Sequence, residues 1–528
     1  VDRRRDGGRG ARRALILALS LAALAAGCTK RDADERPGLG TRVHEGRVRA
    51  VKASPDGAWL AFLEGCSEAR AQSLPPGTAN CELRVAPAAG GGARRVAAAV
   101  TTLPHGFAWS PGGDLLAALA DYDYVNGAGT LVLVDGGGEP ARVADEVTFH
   151  GFVPGEERVA AVAGGRLVRA APGVAPEWMP GIEGLSSFEL SPSRRREGPE
   201  AVALLRRSAR LDGALLAVAS EDGRAAQLAE RTGDYAFAPG GKAFAFTVQG
   251  PGGYELRLAR PGGPPERIGR GVQSFAFSPD GAAIAFVGDA EPGRQGNLHL
   301  RPIAGPDAIA GREVGEFRWA RSSTRVAWLE RYDPRVRSGE LAVAGPGIPT
   351  RTFGRNVSDF DISADGTHVA YLEHTTRGGY SVDLALARVG APKGTPPRSV
   401  AQGAFGFSFS PDGRWLYYRT RCTRNGEACD LERVPVAEPG PGAKAEGIAQ
   451  GVKSFEFDPR DAERLLVTWQ RADLVALDVA VWEKGKLTVI DRAVLPGSAQ
   501  FVGPDSRRVA YAVAAPKRAG VYVAEVPR

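Results

Sequence analysis

The chain has 528 residues, 43% hydrophobic and 24% charged, with a formal net charge of +6. That length exceeds one ordinary domain, and the apolar content excludes a largely disordered chain. No run of Lys and Arg interleaved with aromatics occurs, which argues against a nucleic-acid partner.

Arg3, Arg4, Arg5, Arg9, Arg12 and Arg13 form a basic stretch, and Ala14 to Ala26 form an apolar one too short to span a bilayer. Together they read as a secretory signal over residues 1–27, ending Leu24-Ala25-Ala26-Gly27-Cys28. Small residues directly before a cysteine resemble the lipobox of bacterial lipoproteins. The resemblance implies cleavage before Cys28 and a lipid on its thiol, although Ala25 stands where Leu is commoner. An ordinary signal peptide with an incidental cysteine is the alternative. Thr29 after the cysteine implies, by the same resemblance, the periplasmic face of the outer membrane. The signal carries six Arg and two Asp, which leaves 61 basic and 59 acidic groups in a nearly neutral remainder. Residues 28–42 are charged, bear Pro and Gly and lack an apolar period; they read as the lipid anchor and a flexible tether.

From Val43 onward one phrase recurs. Its fullest copies are Phe277-Ser278-Pro279-Asp280-Gly281 and Phe409-Ser410-Pro411-Asp412-Gly413, each followed by an apolar run. The aromatic ends a strand, Pro cannot donate to a ladder, Asp-Gly turns the chain, and the apolar run starts the next strand. The copies centre on Pro55, Pro111, Pro154, Pro192, Pro239, Pro279, Arg321, Ala364, Pro411, Pro459 and Pro504, between 38 and 56 residues apart. These eleven units, numbered 1 to 11 below, recur at the period of propeller blades. Within unit 6, Ile284–Val287, Leu298–Arg301 and Arg312–Trp319 read as strands, so each unit reads as four short antiparallel strands with no helical period. Phe275/Phe277, Phe317/Trp319, Phe407/Phe409 and Phe455/Phe457 alternate with Ala276, Arg318, Ser408 and Glu456. The aromatics are expected to fill the space between units.

Phrase and period together resemble the WD40-like repeats of the TolB type, also found in the propellers of prolyl-oligopeptidase relatives and in tricorn-like proteins. The resemblance covers residues 43–528 and specifies fold far more than function. TolB carries a small α/β domain before its propeller, where this chain has only a tether, and TolB is soluble in the periplasm. Eleven blades exceed an ordinary ring. The expectation is therefore an all-β tandem propeller, of about five blades over 43–263 and about six over 264–528, with four plus seven as the rival division. Thr41-Arg42-Val43-His44 reads as a strand able to close a ring by pairing with a last blade.

Beyond Cys28, the cysteines form two pairs. Cys66 and Cys81 bracket the hairpin between the second and third strands of unit 1, and Cys422 and Cys429 occupy the same place in unit 9. Facing antiparallel strands lie within disulfide reach, and an exported chain meets an oxidising compartment. Free buried thiols are the alternative; no Cys/His cluster suggests metal.

No Gly-x-Ser-x-Gly elbow occurs, and His44, His105, His150, His299, His368 and His374 are dispersed without zinc-binding spacing. A propeller can still gather distant histidines at its axis, as pectin-degrading propeller lyases do. Asp121-Tyr122-Asp123-Tyr124-Val125-Asn126-Gly127 has the flavour of a calcium loop but lacks EF-hand spacing, and Asn126-Gly127 fits a hairpin turn better. The basic cluster Ser193 to Glu197 reads as a solvated loop. No catalytic residue and no cofactor emerges. The expected function is a non-catalytic, lipid-anchored envelope scaffold that binds a protein partner, as resemblance to TolB implies. A propeller enzyme acting on carbohydrate or peptide at a channel mouth, and a module binding cell-wall glycan, are the alternatives.

Overall fold

The computed structural model describes residues 38–526 apart from 70–73, 180–182, 193–200, 207–212, 219–224, 261–262, 346–347, 375–381, 424–425, 438–443 and 471–475. The signal, Cys28, most of the tether and the Ser193–Glu197 cluster lie outside the described residues. The described chain is all β, with no helix, and adopts a propeller-like arrangement of antiparallel four-strand units. Unit 6 shows the pattern: Ser274–Phe277, Ala283–Gly288, Asn297–Pro302 and Ala308–Gly311 pair in that order. Units 1 and 9 form separate four-stranded sheets in the same way.

The anchor phrase builds the turn between the first and second strands. Ser278 Oγ donates to Asp280 Oδ1 (2.6 Å) and accepts from the Ala283 amide (2.9 Å). Asp280 Oδ1 also accepts from the Ala282 amide at 3.0 Å. Ser363 with Asp365 and Ser410 with Asp412 repeat these bonds. Serine and aspartate thus supply the turn with partners for amides that the ladder leaves over.

One strand reading needs correction. The fourth strand of unit 6 and the first of unit 7 are separate, at Ala308–Gly311 and Glu316–Trp319, because the chain bends through Glu313 at φ 51°. Elsewhere one long strand does serve both units: Val147 in Ala141–Phe152 pairs with Gly129 on one side and Ala163 on the other. The paired aromatics before the anchors pack against the clusters between units, as expected, although Phe275, Phe277, Phe317 and Phe455 are only half buried while Phe409 is buried. Their strand has a neighbour on one side only. The fully buried large side chains include Trp328, Tyr371, Tyr417, Phe62 and Phe286, all on second strands.

Among the described residues, neighbouring units pack on one another through shared apolar clusters. Ala238, Leu256 and Ile268 of unit 5 meet Ile284 and Phe286 of unit 6. Gly263, where a division between two propellers is expected, lies between these two units. Val502, Ala510 and Val521 of unit 11 meet Val51, Leu60 and Phe62 of unit 1. Thr41–Glu45 pairs antiparallel with Gly520–Glu525, as the closing strand was expected to do.

Candidate functional site

The strand before several anchors is a short edge strand, and at several seams side chains from the strand before one anchor reach the corresponding strand of the neighbouring unit. Trp109 Nε1 donates to the Lys52 carbonyl (3.1 Å) and Trp319 Nε1 to the Ala276 carbonyl (3.2 Å). Gln500 Nε2 donates to the Val51 carbonyl at 2.9 Å. Such close approach places these strands at an inner rim where the units converge, and the rim is the candidate site.

Over units 1 to 3 the rim carries basic groups. Lys52 Nζ donates to the Phe107 carbonyl (2.7 Å) and lies 4.4 Å from the centre of the Phe107 ring. His150 Nε2 bonds the His105 carbonyl (2.9 Å), and His105 Nε2 lies 3.2 Å from the Tyr122 hydroxyl. Burial lowers the pKa of Lys52, His105 and His150, an effect partly offset at His150 by its bond to His105. His150 Nδ1 is buried without a hydrogen-bond partner. Perturbed bases that converge in this way can accept or pass a proton. The structure thus joins two histidines that sequence spacing left 45 residues apart; the one available signal was that both lie close before consecutive anchors.

Units 7 and 8 carry the opposite charge. Arg318 bonds Glu316 (2.9 Å), Asp359 (3.3 Å) and the Phe360 carbonyl, with its guanidinium 4.9 Å from the centre of the Phe360 ring. Burial raises the pKa of Asp359 and Asp361 despite that cation.

The remaining histidines stay apart. His44 pairs with Glu64 (2.5 Å), and His299 lies between Asp289 (2.9 Å) and Asp307 (2.8 Å). Among the described residues no three His, Cys, Asp or Glu side chains are grouped to hold a metal. In the loop at Asp121, Asp123 accepts from the Val125 amide (2.8 Å) and from Asn126 Nδ2 (2.6 Å), which commits its carboxylate to the hairpin turn. Cys66 is bonded to Cys81 and Cys422 to Cys429, each with Cα atoms 4.0 Å apart.

A cavity of about 280 Å³ opens at the seam of units 5 and 6, with Gly213 and Thr232 of unit 4 also on its wall. Asp234, Thr247, Tyr254, Gln273, Ser274 and Phe275 line it. Gly233 keeps it open, since a Cβ there would meet Thr247 Oγ1 at 2.8 Å and Tyr254 Cε1 at 3.0 Å.

No protein-family model matches the sequence, and no curated protein matches it. Among solved structures, a eukaryotic initiation factor is similar at 14% identity and TM-score 0.40, over 69% of this chain and 93% of the other. An oligogalacturonate lyase in complex with manganese is similar at 13% identity and TM-score 0.32, over 62% of this chain and 96% of the other. The tricorn protease is similar at 13% identity and TM-score 0.23, over 90% of this chain and 57% of its own length. At these identities the likeness concerns fold alone.

Proposed function

We propose that the chain is a lipid-anchored, extracytoplasmic scaffold that binds an envelope protein through one face of a single closed ring of eleven units. The cores shared by units 5 and 6 and by units 11 and 1, with the pairing of Thr41–Glu45 and Gly520–Glu525, support one ring over two. The observation that carries the binding role is the crowding of one face. Both disulfides staple hairpins between second and third strands, and exposed Val125 and Val336 tip two more such hairpins. Exposed Phe405, on the connection entering unit 9, joins them on that side. Stapled tips beside tips that bear exposed apolar side chains, all on a rigid base, are suited to recognition.

A photocrosslinker at Val125, Val336 or Phe405 is expected to capture one envelope protein in intact cells, and one at Asp280 or Asp412 on the opposite face none. Capture from the anchor turns alone would reverse the assignment. Cys28→Ser is expected to release the protein from the membrane or to block its processing; unchanged detergent partitioning removes the anchor from the proposal. The perturbed bases Lys52, His105 and His150 support a second reading, an enzyme acting on carbohydrate or peptide at the rim. In that reading His150→Gln abolishes turnover while the crosslinks persist.

A further inference from the structure

We propose that the cavity between units 5 and 6 binds a guanidinium group, the arginine side chain of a partner polypeptide, between Asp234 and Phe275. The chain carries its own precedent. At the seam of units 7 and 8, Arg318 bonds a carboxylate two residues before it, Glu316, and then the carbonyl of the next unit's Phe360, and it lies against that ring. Lys52 makes the same carbonyl bond and ring contact on Phe107 at the seam of units 1 and 2.

Counting back from the anchors, Asp234 stands where Glu316 does and Ala236 where Arg318 does. In the following unit, Ser274 and Phe275 stand where Asp359 and Phe360 do. The seam of units 5 and 6 therefore keeps the carboxylate, the aromatic ring and its carbonyl, and lacks the cation. Asp234, Ser274 and Phe275, the equivalents of Glu316, Asp359 and Phe360, all line the cavity of about 280 Å³. Pockets for drug-sized ligands span roughly 300–1,000 Å³, so this one suits a single side chain.

The Asp234 carboxylate is exposed and makes no hydrogen bond or ion pair among the described residues, and neither does the Tyr254 hydroxyl. Gln273 uses only its oxygen, which accepts from the Gly296 amide at 3.4 Å. A planar, always-charged fork matches a carboxylate, a carbonyl and a ring face together better than an ammonium does. The site is independent of the scaffold reading, because a ring that binds partners elsewhere would still hold it.

Calorimetric titration of the full chain with N-acetyl-arginine methylamide tests the site, with the citrulline counterpart as neutral control. The arginine probe is expected to bind and the citrulline probe to bind at least tenfold more weakly. Asp234→Asn is expected to weaken the arginine probe at least tenfold. Ala236→Arg restores a cation at the position equivalent to Arg318, between Asp234 and Phe275, and is expected to abolish binding with the melting temperature kept. If that variant does not fold, exposed Asp234 decides alone. No binding at millimolar probe, equal binding of the two probes, or an Asp234→Asn chain that binds as wild type overturns the site. Failure here leaves the crosslinking result on the scaffold untouched.

Discussion

Gly281 shows how a single residue couples the anchor turn to the ring. Its φ of 68° is a conformation that costs a residue with a Cβ, and a Cβ there would also strike the Pro239 carbonyl of unit 5. Gly281→Ala is expected to destabilise by about 1–3 kcal/mol, read as a shift in denaturation midpoint at constant slope. Asp361 makes the electrostatic case. Burial raises its pKa, and the Ile362 amide and Arg318 only partly counter that. A raised carboxyl stabilises the fold below its unfolded value of 3.8, and that contribution is lost as pH rises through the folded value. Its charge at neutral pH therefore opposes folding. Asp361→Asn is expected to raise the melting temperature at pH 7, with a gain that shrinks as pH falls toward the unfolded value. A lower melting temperature at pH 7 would show that Arg318 needs that charge.

The strand elements divide by their number of neighbours. Second strands lie between two others and supply the deeply buried Trp328, Tyr371 and Tyr417, whereas the rim strands leave Phe275 and Phe317 half exposed. Stability therefore resides in the middle of each unit and recognition at its edges. The two disulfides sit at edges, on hairpin tips of units 1 and 9. Each closes a short loop, so its loss is expected to cost about 2–4 kcal/mol at most. Hydrogen exchange after reduction is expected to quicken first at 66–81 and 422–429, with the second strands still protected. Simultaneous loss of protection throughout would mean that the bridges hold the ring itself.

For the whole molecule the decisive contact is closure. Thr41–Glu45 covers the edge of Gly520–Glu525, and Tyr511, buried beneath, donates to Asp491 (2.9 Å) while its oxygen accepts from the Gly40 amide (3.2 Å). An uncovered edge strand is a template for another chain. Removal of residues 38–46 is expected to lower the melting temperature and to produce dimers or larger species by size-exclusion chromatography. A monomer of unchanged stability would show that the packing of unit 11 on unit 1 closes the ring without that strand.

What the residues alone determined was local. The serine–proline–aspartate–glycine turns, the antiparallel strands and the pairing of Cys66 with Cys81 and Cys422 with Cys429 each depend on residues near one another in sequence, and each could be read from type and spacing. Alternation placed the rim aromatics against the clusters between units but did not show that several stay half exposed, because it tells which residues share a face and not how many neighbours the strand has. Tertiary structure alone brought His150 to His105, set Arg318 against the next unit's Phe360, and left a cavity between Asp234 and Phe275. The succession of cores across Gly263 is of the same kind. A repeat period describes one unit; which units meet, and where a ring closes, depends on the angle between neighbouring sheets, and that angle is set by contacts between residues some forty positions apart.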